Sequence, residues 1–464
     1  MQEAATLIVD LLNGLIWLLV GCGLYFTVRL GLIQFLHFGH TFSVLKGSRN
    51  ADESGISSFQ ALCTSLAARV GTGNVAGVAV AITLGGPGAV FWMWMIALVG
   101  MATGFVEATL AQLFKIRDEN GQFRGGPAYY MEKGLGARWM GVLFSLFLIL
   151  AFGFVFNSVQ ANTITGAMQG AFGVQTWLSG IALVILTALI IFGGLRSIAR
   201  FSELAVPFMA VAYLLMAIGI ILINLDELPG VLSLIVQSAF GLHEAAAGGI
   251  GAAILNGFKR GLFSNEAGMG SAPNAAASAT PYPPHPASQG YVQMAGVFID
   301  TLLICTASAA IILLAGQQSG AGIMLVQNAL TSQVGDWGKY FLAVVILFFA
   351  FTSIVANYFY AENCLVFLEH NHAAGLLVFR LSVLAMVMFG SVASLPFVWN
   401  LADVSMGLMA ITNLVAILLL SNLAFKLARD YNAQRKAGKL PTFDAADYPE
   451  VQQRLEPGIW DSRR

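Results

Sequence analysis

Between Ala67 and Gly77 the chain reads Ala-Ala-Arg-Val-Gly-Thr-Gly-Asn-Val-Ala-Gly, which places a guanidinium (Arg69), a hydroxyl (Thr72) and a carboxamide (Asn74) within one short apolar stretch. Polar groups are costly in hydrocarbon, so their clustering there points to binding. Gly71 and Gly73 flank Thr72 and make local unwinding cheap. A helix unwound inside a membrane offers free N–H groups at the start of its outer half and free C=O groups at the end of its inner half. The first suit a carboxylate and the second suit a cation, so one break can hold both side by side. A packing seam of small residues is the alternative reading. Arg69, Thr72 and Asn74 weigh against it.

The element that must position these residues is a membrane span, Ser57 to Gly85. Of 464 residues, 57% are hydrophobic and 10% charged, and the mean hydropathy is +0.76. A soluble chain would carry about 25% charged residues, so the composition is that of a polytopic membrane protein. The net charge of −1 says nothing about nucleic acid, but there is no basic patch and no soluble domain large enough to hold one, so no nucleic-acid partner is expected. Cys22, Cys63, Cys305 and Cys364 sit in apolar segments without CxxC spacing and read as buried small hydrophobes. The six histidines, His37, His40, His243, His285, His370 and His372, show no metal-site spacing. No signal-peptide pattern opens the chain, and the first apolar run is expected to stay as a membrane helix.

Apolar stretches near span length give eleven predicted crossings. They lie near Leu7 to Arg29, Ser57 to Gly85, Pro87 to Leu113, Met140 to Gly170, Thr176 to Gly193, Ile198 to Asn224, Leu228 to Phe263, Gln289 to Leu314, Trp337 to Phe367, Ala373 to Ser391 and Pro396 to Leu423. An amphipathic segment, Leu32 to Leu45, is expected along the surface. The seventh span carries a second glycine cluster, Glu244 to Gly251, read as a second break. Arg29, Lys46, Arg49, the loop from Arg117 to Arg138, Arg196, Arg200, Lys259 and Arg260 fall on alternate connections. The positive-inside rule then places the N-terminus outside and the C-terminus in the cytoplasm.

Setting aside the first span leaves two sets of five, each opening with a glycine-broken helix and entering with opposite polarity. That is the pattern of a secondary transporter built on inverted repeats. The predicted organisation is an extra N-terminal helix and surface segment (1–50), a first five-helix repeat (51–225), a second (226–425) and a polar cytoplasmic tail (426–464).

Gly71-Thr-Gly-Asn-Val-Ala-Gly77, Trp92-Met-Trp94, Gly125-Gly-Pro-Ala-Tyr-Tyr130 and Lys259-Arg-Gly-Leu-Phe-Ser-Asn-Glu-Ala-Gly-Met-Gly-Ser-Ala-Pro273 together resemble the alanine or glycine:cation symporter family. The resemblance runs from about Gly14 to Lys426. It implies an all-α, leucine-transporter-like fold of five plus five helices and import of small neutral amino acids coupled to sodium ions. Thr72 and Gly73 would meet the substrate carboxylate through backbone N–H groups, with Asn74 beside them. The carbonyls of Ala67 and Val70, with Thr352 and Ser353, would hold sodium. Gly248, Gly249, Ile250 and Gly251 would leave carbonyls for the ammonium, and Gln160, with Asn157 one turn earlier, would add a polar contact. Two-sodium members of the wider superfamily carry Asn-Ala where this chain has Ala68-Arg69, so a single sodium is implied and Asn74 is not expected to bind an ion. The implied location is a bacterial or archaeal plasma (inner) membrane, with lipid around the spans.

Other polar residues keep two readings. Thr352 and Ser353 can bond their own helix carbonyls, and Gln160 and Asn157 can tie helices together. Arg69, Glu107, Asp300, Glu362 and Asp403 are candidate intramembrane charges, with Arg69 expected to bridge Glu107 or Asp300. The Arg260–Pro273 motif reads as part of an inner gate, with Ser264 and Asn265 as a helix cap. A proton coupled through Asp300 or Glu107 is the alternative to sodium. A sensor using the tail as effector is the alternative from another class. No HExxH or Ser-His pairing supports an intramembrane enzyme. Glycine, L-alanine, D-alanine, serine and glutamine all remain open as substrates.

Overall fold

The computed structural model describes residues 2–49, 55–192, 194–242, 249–316, 319–370 and 372–461. Its helices are α1 (Gln2–Arg29), α2 (Phe38–Lys46), α3 (Ser58–Arg69), α4 (Gly73–Gly85), α5 (Gly88–Leu113), α6 (Arg138–Phe172), α7 (Thr176–Ile191), α8 (Gly194–Ile223), α9 (Leu228–Ala239), α10 (Gly249–Asn265), α11 (Pro286–Leu314), α12 (Ile323–Val334), α13 (Trp337–Phe367), α14 (Ala373–Val392) and α15 (Leu395–Lys436). Among the described residues seven helices are long and apolar enough to cross a bilayer. The pair α3 and α4, bent by 51°, forms an eighth crossing if taken as one span. Ile16–Arg29, Thr176–Ile191 and Leu228–Ala239 are apolar but shorter.

Helices half a chain apart pack together. α5 lies against α10 and α11, and α4 against α10; α6 lies against α13 and α14, and α7 against α14. Two four-part groups result, and the first break faces the seam between them. There α3 packs on α13, and Gln160 and Ser353 reach in from α6 and α13. Ridges of small residues allow these close approaches where lipid gives no hydrophobic drive for helix pairing.

The N-terminal end of α3 is defined by its sequence. Ser57 accepts from the Gln60 backbone N–H and Gln60 accepts from that of Ser57, a reciprocal capping box. Ile56–Ser57 also pairs in parallel with Ala279–Thr280, and Gln289 Nε2 donates to Ser58 Oγ at 2.6 Å. The start of the first broken helix is thereby fastened to the segment that follows the Arg260–Pro273 motif.

The predicted seventh span, read as broken at Glu244–Gly251, is two helices, α9 and α10, and residues 243–248 between them lie outside the described residues. One expectation is revised. The last helix does not stop at Leu423 but runs to Lys436, and the tail beyond it folds back. Phe443, Tyr448 and Trp460 are buried, Trp460 Nε1 donates to Leu113 O at 3.2 Å, and Lys133 pairs with Glu456 at 2.8 Å. An aromatic-bearing tail with this much apolar surface gains by docking.

Candidate substrate and cation site

The last helical bond of α3 runs from Val70 N to Leu66 O, 2.7 Å. Val70 then leaves helical geometry (φ −77°, ψ 87°), and the chain re-enters a helix at Gly73. The exposed backbone is met by side chains. Asn74 Oδ1 accepts from Gly71 N at 3.0 Å, and Gln160 Oε1 accepts from Thr72 N at 2.9 Å. Thr72 Oγ1 is fully buried and has no hydrogen-bond partner. A buried hydroxyl left unpaired is costly, which marks it as an atom the site keeps for something else.

Glycine is required here by space. A Cβ on Gly71 would collide with Ser353 Oγ and Gln160 Oε1, and one on Gly73 would lie 2.9 Å from the Phe263 ring. Ser353 Oγ donates to Ala67 O at 2.8 Å and shares Phe349 O at 3.0 Å. A freed carbonyl at the end of α3 and a hydroxyl of α13 thus lie together, as hard oxygen donors for an alkali cation would. Thr352 Oγ1 bonds only its own helix, at Phe349 O, 2.9 Å. Asn157 Oδ1 accepts from Asn357 Nδ2 at 3.1 Å, which ties α6 to α13 one turn from Gln160.

Behind the break lies a cluster the sequence reading named only in pieces. Asp300 sits in a widened π-helical turn, Phe298–Cys305, whose backbone frees its carbonyl. Asn74 Nδ2 donates to that carbonyl at 3.1 Å and to Asp300 Oδ1 at 2.6 Å. Ser264 and Thr301 hydroxyls donate to Asp300 Oδ2 at 2.8 and 2.7 Å. Ser264, read as part of a helix cap, instead links α10 to the first break; Asn265, the last residue of α10, caps no helix and accepts from Ala267 N at 3.0 Å within the turn that follows.

On the other side an aromatic stack covers Gly73. Phe156, Phe263 and Trp399 follow one another at 4.5 and 4.7 Å between centroids. Trp399 in turn lines a cavity of about 350 Å³ between α4, α10 and α15, where Arg260 pairs with Asp403 and lies over the Trp399 ring at 4.6 Å. Phe156, Trp399 and the Arg260–Asp403 pair were not singled out as a unit from sequence. They lie on three helices, and only the motif around Phe263 hinted at them.

The second glycine cluster does not behave as expected. Gly248 lies outside the described residues. Gly249, Ile250 and Gly251 are exposed at the start of α10, which continues unbroken to Asn265. A further interruption comes after Asn265, where Glu266, Gly268 and Gly270 take φ of +58°, +92° and +83°. Two left-handed glycines close together end a helix more effectively than a glycine run at its exposed start, where water or headgroups satisfy the backbone. This loop is filled by protein: Gly268 N donates to Glu107 Oε2 at 3.0 Å, Asn413 donates to Glu107 Oε1 and Gly268 O, and Tyr130 donates to Asn413.

The expected Arg69 bridge is not formed. Among the described residues Arg69 has no carboxylate within 4.0 Å and its Nε has no partner; its Nη1 reaches Gln293 O at 3.5 Å. Glu107 and Asp300 are held by neutral donors instead. Asp403 pairs with Arg260, and Glu362 is half-buried beside a polar cavity that includes Arg117 and Arg138. Among the described residues no cluster of histidine, cysteine and carboxylate groups has the form of a metal site.

A helix opened at mid-length, met by its own Asn74 and by Gln160 of a facing helix and closed on one side by tilted, packed aromatic rings, fits a membrane transporter of leucine-transporter-like fold. That fold is shared with the crystal structure of MhsT in complex with L-phenylalanine, at a TM-score of 0.53 and 16% identity, over 88% of this chain and 95% of that one. The chain belongs to the sodium:alanine symporter family, whose profile matches residues 1–445. It is 50% identical over 436 residues to the amino-acid carrier protein AlsT of Bacillus subtilis (strain 168), spanning 94% of this chain and 93% of the relative. It is also 50% identical over 453 residues to the probable sodium/glutamine symporter GlnT of the same organism, spanning 96% and 94%. Amino-acid symport with a cation is therefore its class of activity, and it is not an enzyme.

Proposed function

We propose that the chain imports a small neutral amino acid, alanine or glycine, with sodium across a bacterial or archaeal plasma membrane by alternating access, its C-terminus in the cytoplasm. The observation that carries this is the pairing at one break of Ser353 Oγ with Ala67 O and of Thr72 N with Gln160 Oε1. Sodium takes Ala67 O, Val70 O, Ser353 Oγ and Thr352 Oγ1, the last after rotating away from Phe349 O. The substrate carboxylate takes the Thr72 and Gly73 N–H groups and the Thr72 hydroxyl, and Gln160 turns from acceptor of Thr72 N to partner of the ammonium. Phe263 and Phe156 limit the side chain. The ammonium finds its carbonyl near Phe263 and Ser264, not at Gly249–Gly251. Because both ligands order the same stretch, each strengthens the other's binding by the same factor.

Release follows when α3 leaves α13. Its inner end is tied by Ser58 to Thr280 O, 3.2 Å, and by Gln60 to Glu203, 2.8 Å, so these bonds break in the inward-open form. The test is uptake of labelled alanine into proteoliposomes with an inward sodium gradient or with potassium in its place, for wild type and Ser353→Ala. Sodium-driven accumulation that the variant loses supports the assignment; equal uptake in both salts sinks it.

Asp300 favours a second reading, a proton as coupling ion, because it is a buried carboxylate one residue contact from Asn74. Asp300→Asn keeps an acceptor for Asn74 and removes the titratable group. Accumulation driven by a proton gradient in wild type and lost in Asp300→Asn would select this reading over sodium.

A further inference from the structure

The basic end of α1 and the extension of α15 enclose a cavity of about 410 Å³, lined by Arg29, Leu36, His37, Phe425, Arg429 and Lys436 among others. That volume is within the range that holds small ligands, about 300–1,000 Å³. No carboxylate lines it, and among the described residues none of its three full cations has an ion-pair partner within 4.0 Å. Arg29 is nonetheless fixed in place. It stacks over Phe425 at 4.8 Å and donates to Tyr25 OH at 3.0 Å and Asn422 Oδ1 at 3.2 Å. Arg435 and Lys436 also lower the pKa of His37, after burial, so the positive potential reaches the cavity wall.

Apolar surface adjoins these cations. Leu36 is 72% exposed and Phe35 54%, on the short turn of helix that forms one rim, and Phe42 of α2 is exposed beyond them. Cations held at the mouth of a span, beside apolar side chains facing outward, match an anion that carries acyl chains. A soluble anion would gain nothing from Leu36 and Phe35.

We propose that this cavity binds the phosphodiester headgroup of an anionic phospholipid, with its acyl chains along α1 and the exposed face of Phe35 and Leu36. Arg29 and Lys436 are the main phosphate ligands. Arg429 contributes less, because it also lines a neighbouring cavity with Asp430, Asp444 and Asp447 of the tail region. The choice of the cytoplasmic leaflet rests on the proposed orientation; the site itself does not. A lipid here joins α1, which lies outside the two packed groups, to α15 and so to the docked tail.

The test is native mass spectrometry of the purified full-length chain, counting retained phosphatidylglycerol against phosphatidylcholine. Wild type is expected to retain phosphatidylglycerol preferentially. Arg29→Gln with Lys436→Gln lowers that retention about 25-fold, at roughly five-fold per cation, and Lys436→Gln alone, at an exposed position, about five-fold. Arg138→Gln, in the cavity beside Glu132 and Glu369, leaves it unchanged. Equal retention of the two lipids, no loss in the double and single variants, or an equal loss in Arg138→Gln overturns the proposal. Displacement by glycerol phosphate at the same concentration as lipid also overturns it, in favour of a soluble anion. Retention is read without transport, so failure of the symport reading leaves the result intact.

Discussion

At the first break the free N–H groups of Gly71 and Thr72 meet the uncharged amides of Asn74 and Gln160, and Thr72 Oγ1 has no partner. At the second, Gly268 is held on both its N–H and its C=O by Glu107 and Asn413, Ser271 donates to Glu266 at 2.5 Å, and Asn274 closes over Gly270 O at 3.1 Å. Each interruption frees backbone groups that hydrocarbon cannot satisfy. One is satisfied by side chains that can turn to a ligand, the other by a buried network with its members bonded to one another. A network with its groups paired rigidifies, whereas a break with exchangeable partners can bind. On the proposed reading the first break is the place for transported solutes, and the second is the joint on which α10 is hung.

Five substitutions test that contrast, and the largest effect is expected at Gly71. In Gly71→Ala the new Cβ displaces Ser353 Oγ and Gln160 Oε1, both ends of flexible side chains, so the fold survives while the site is disordered. The proposed sodium ligand Ser353 Oγ and the proposed ammonium partner Gln160 Oε1 are both displaced, and at about 1.5–3 kcal/mol for each polar contact to a charged ligand uptake efficiency falls at least a hundredfold. Uptake within threefold of wild type would put the solute elsewhere.

Gly270→Ala is expected to act on stability instead. Its φ of +83° disfavours a side chain, and a Cβ would lie 2.8 Å from Pro127 and 2.9 Å from Asn413 and Phe144. A cost of roughly 2–4 kcal/mol follows, read as a lower unfolding midpoint in detergent. A variant of unchanged midpoint that cannot transport would reverse the roles given to the two breaks.

Next comes the cation side. Ser353→Ala should raise the sodium concentration for half-maximal uptake about tenfold, the effect of one hydrogen bond near 1.4 kcal/mol. Thr352→Ala should shift it less, because its hydroxyl bonds Phe349 O within its own helix. A larger shift at Thr352 would identify that hydroxyl as the principal ligand.

The smallest effect is expected where the sequence alone placed the second break. Gly251 is exposed and a Cβ there meets nothing within 4 Å. Gly251→Ala should therefore change unfolding and uptake by less than about 0.5 kcal/mol. A substrate-affinity loss at this position would restore the glycine cluster as part of the site.

Much of this was legible in the chain itself. The apolar runs fix a helical membrane protein because only helices or closed barrels satisfy the backbone in lipid. Gly71 and Gly73 beside Thr72 and Asn74 fix where the first span opens, since that local chemistry needs no partner to be read. What tertiary structure decided is every pairing across helices. Glycine abundance alone cannot separate a helix start at Gly249–Gly251 from a true interruption at Glu266–Gly270, because the difference lies in φ and in the side chains that arrive from α5 and α15. Arg69 among four candidate intramembrane carboxylates invited an ion pair, but Glu107 and Asp300 took neutral donors brought from distant positions, Asn413 and Asn74. Spacing along one helix sets which residues share a face; which face meets which is set only when the two groups of helices pack.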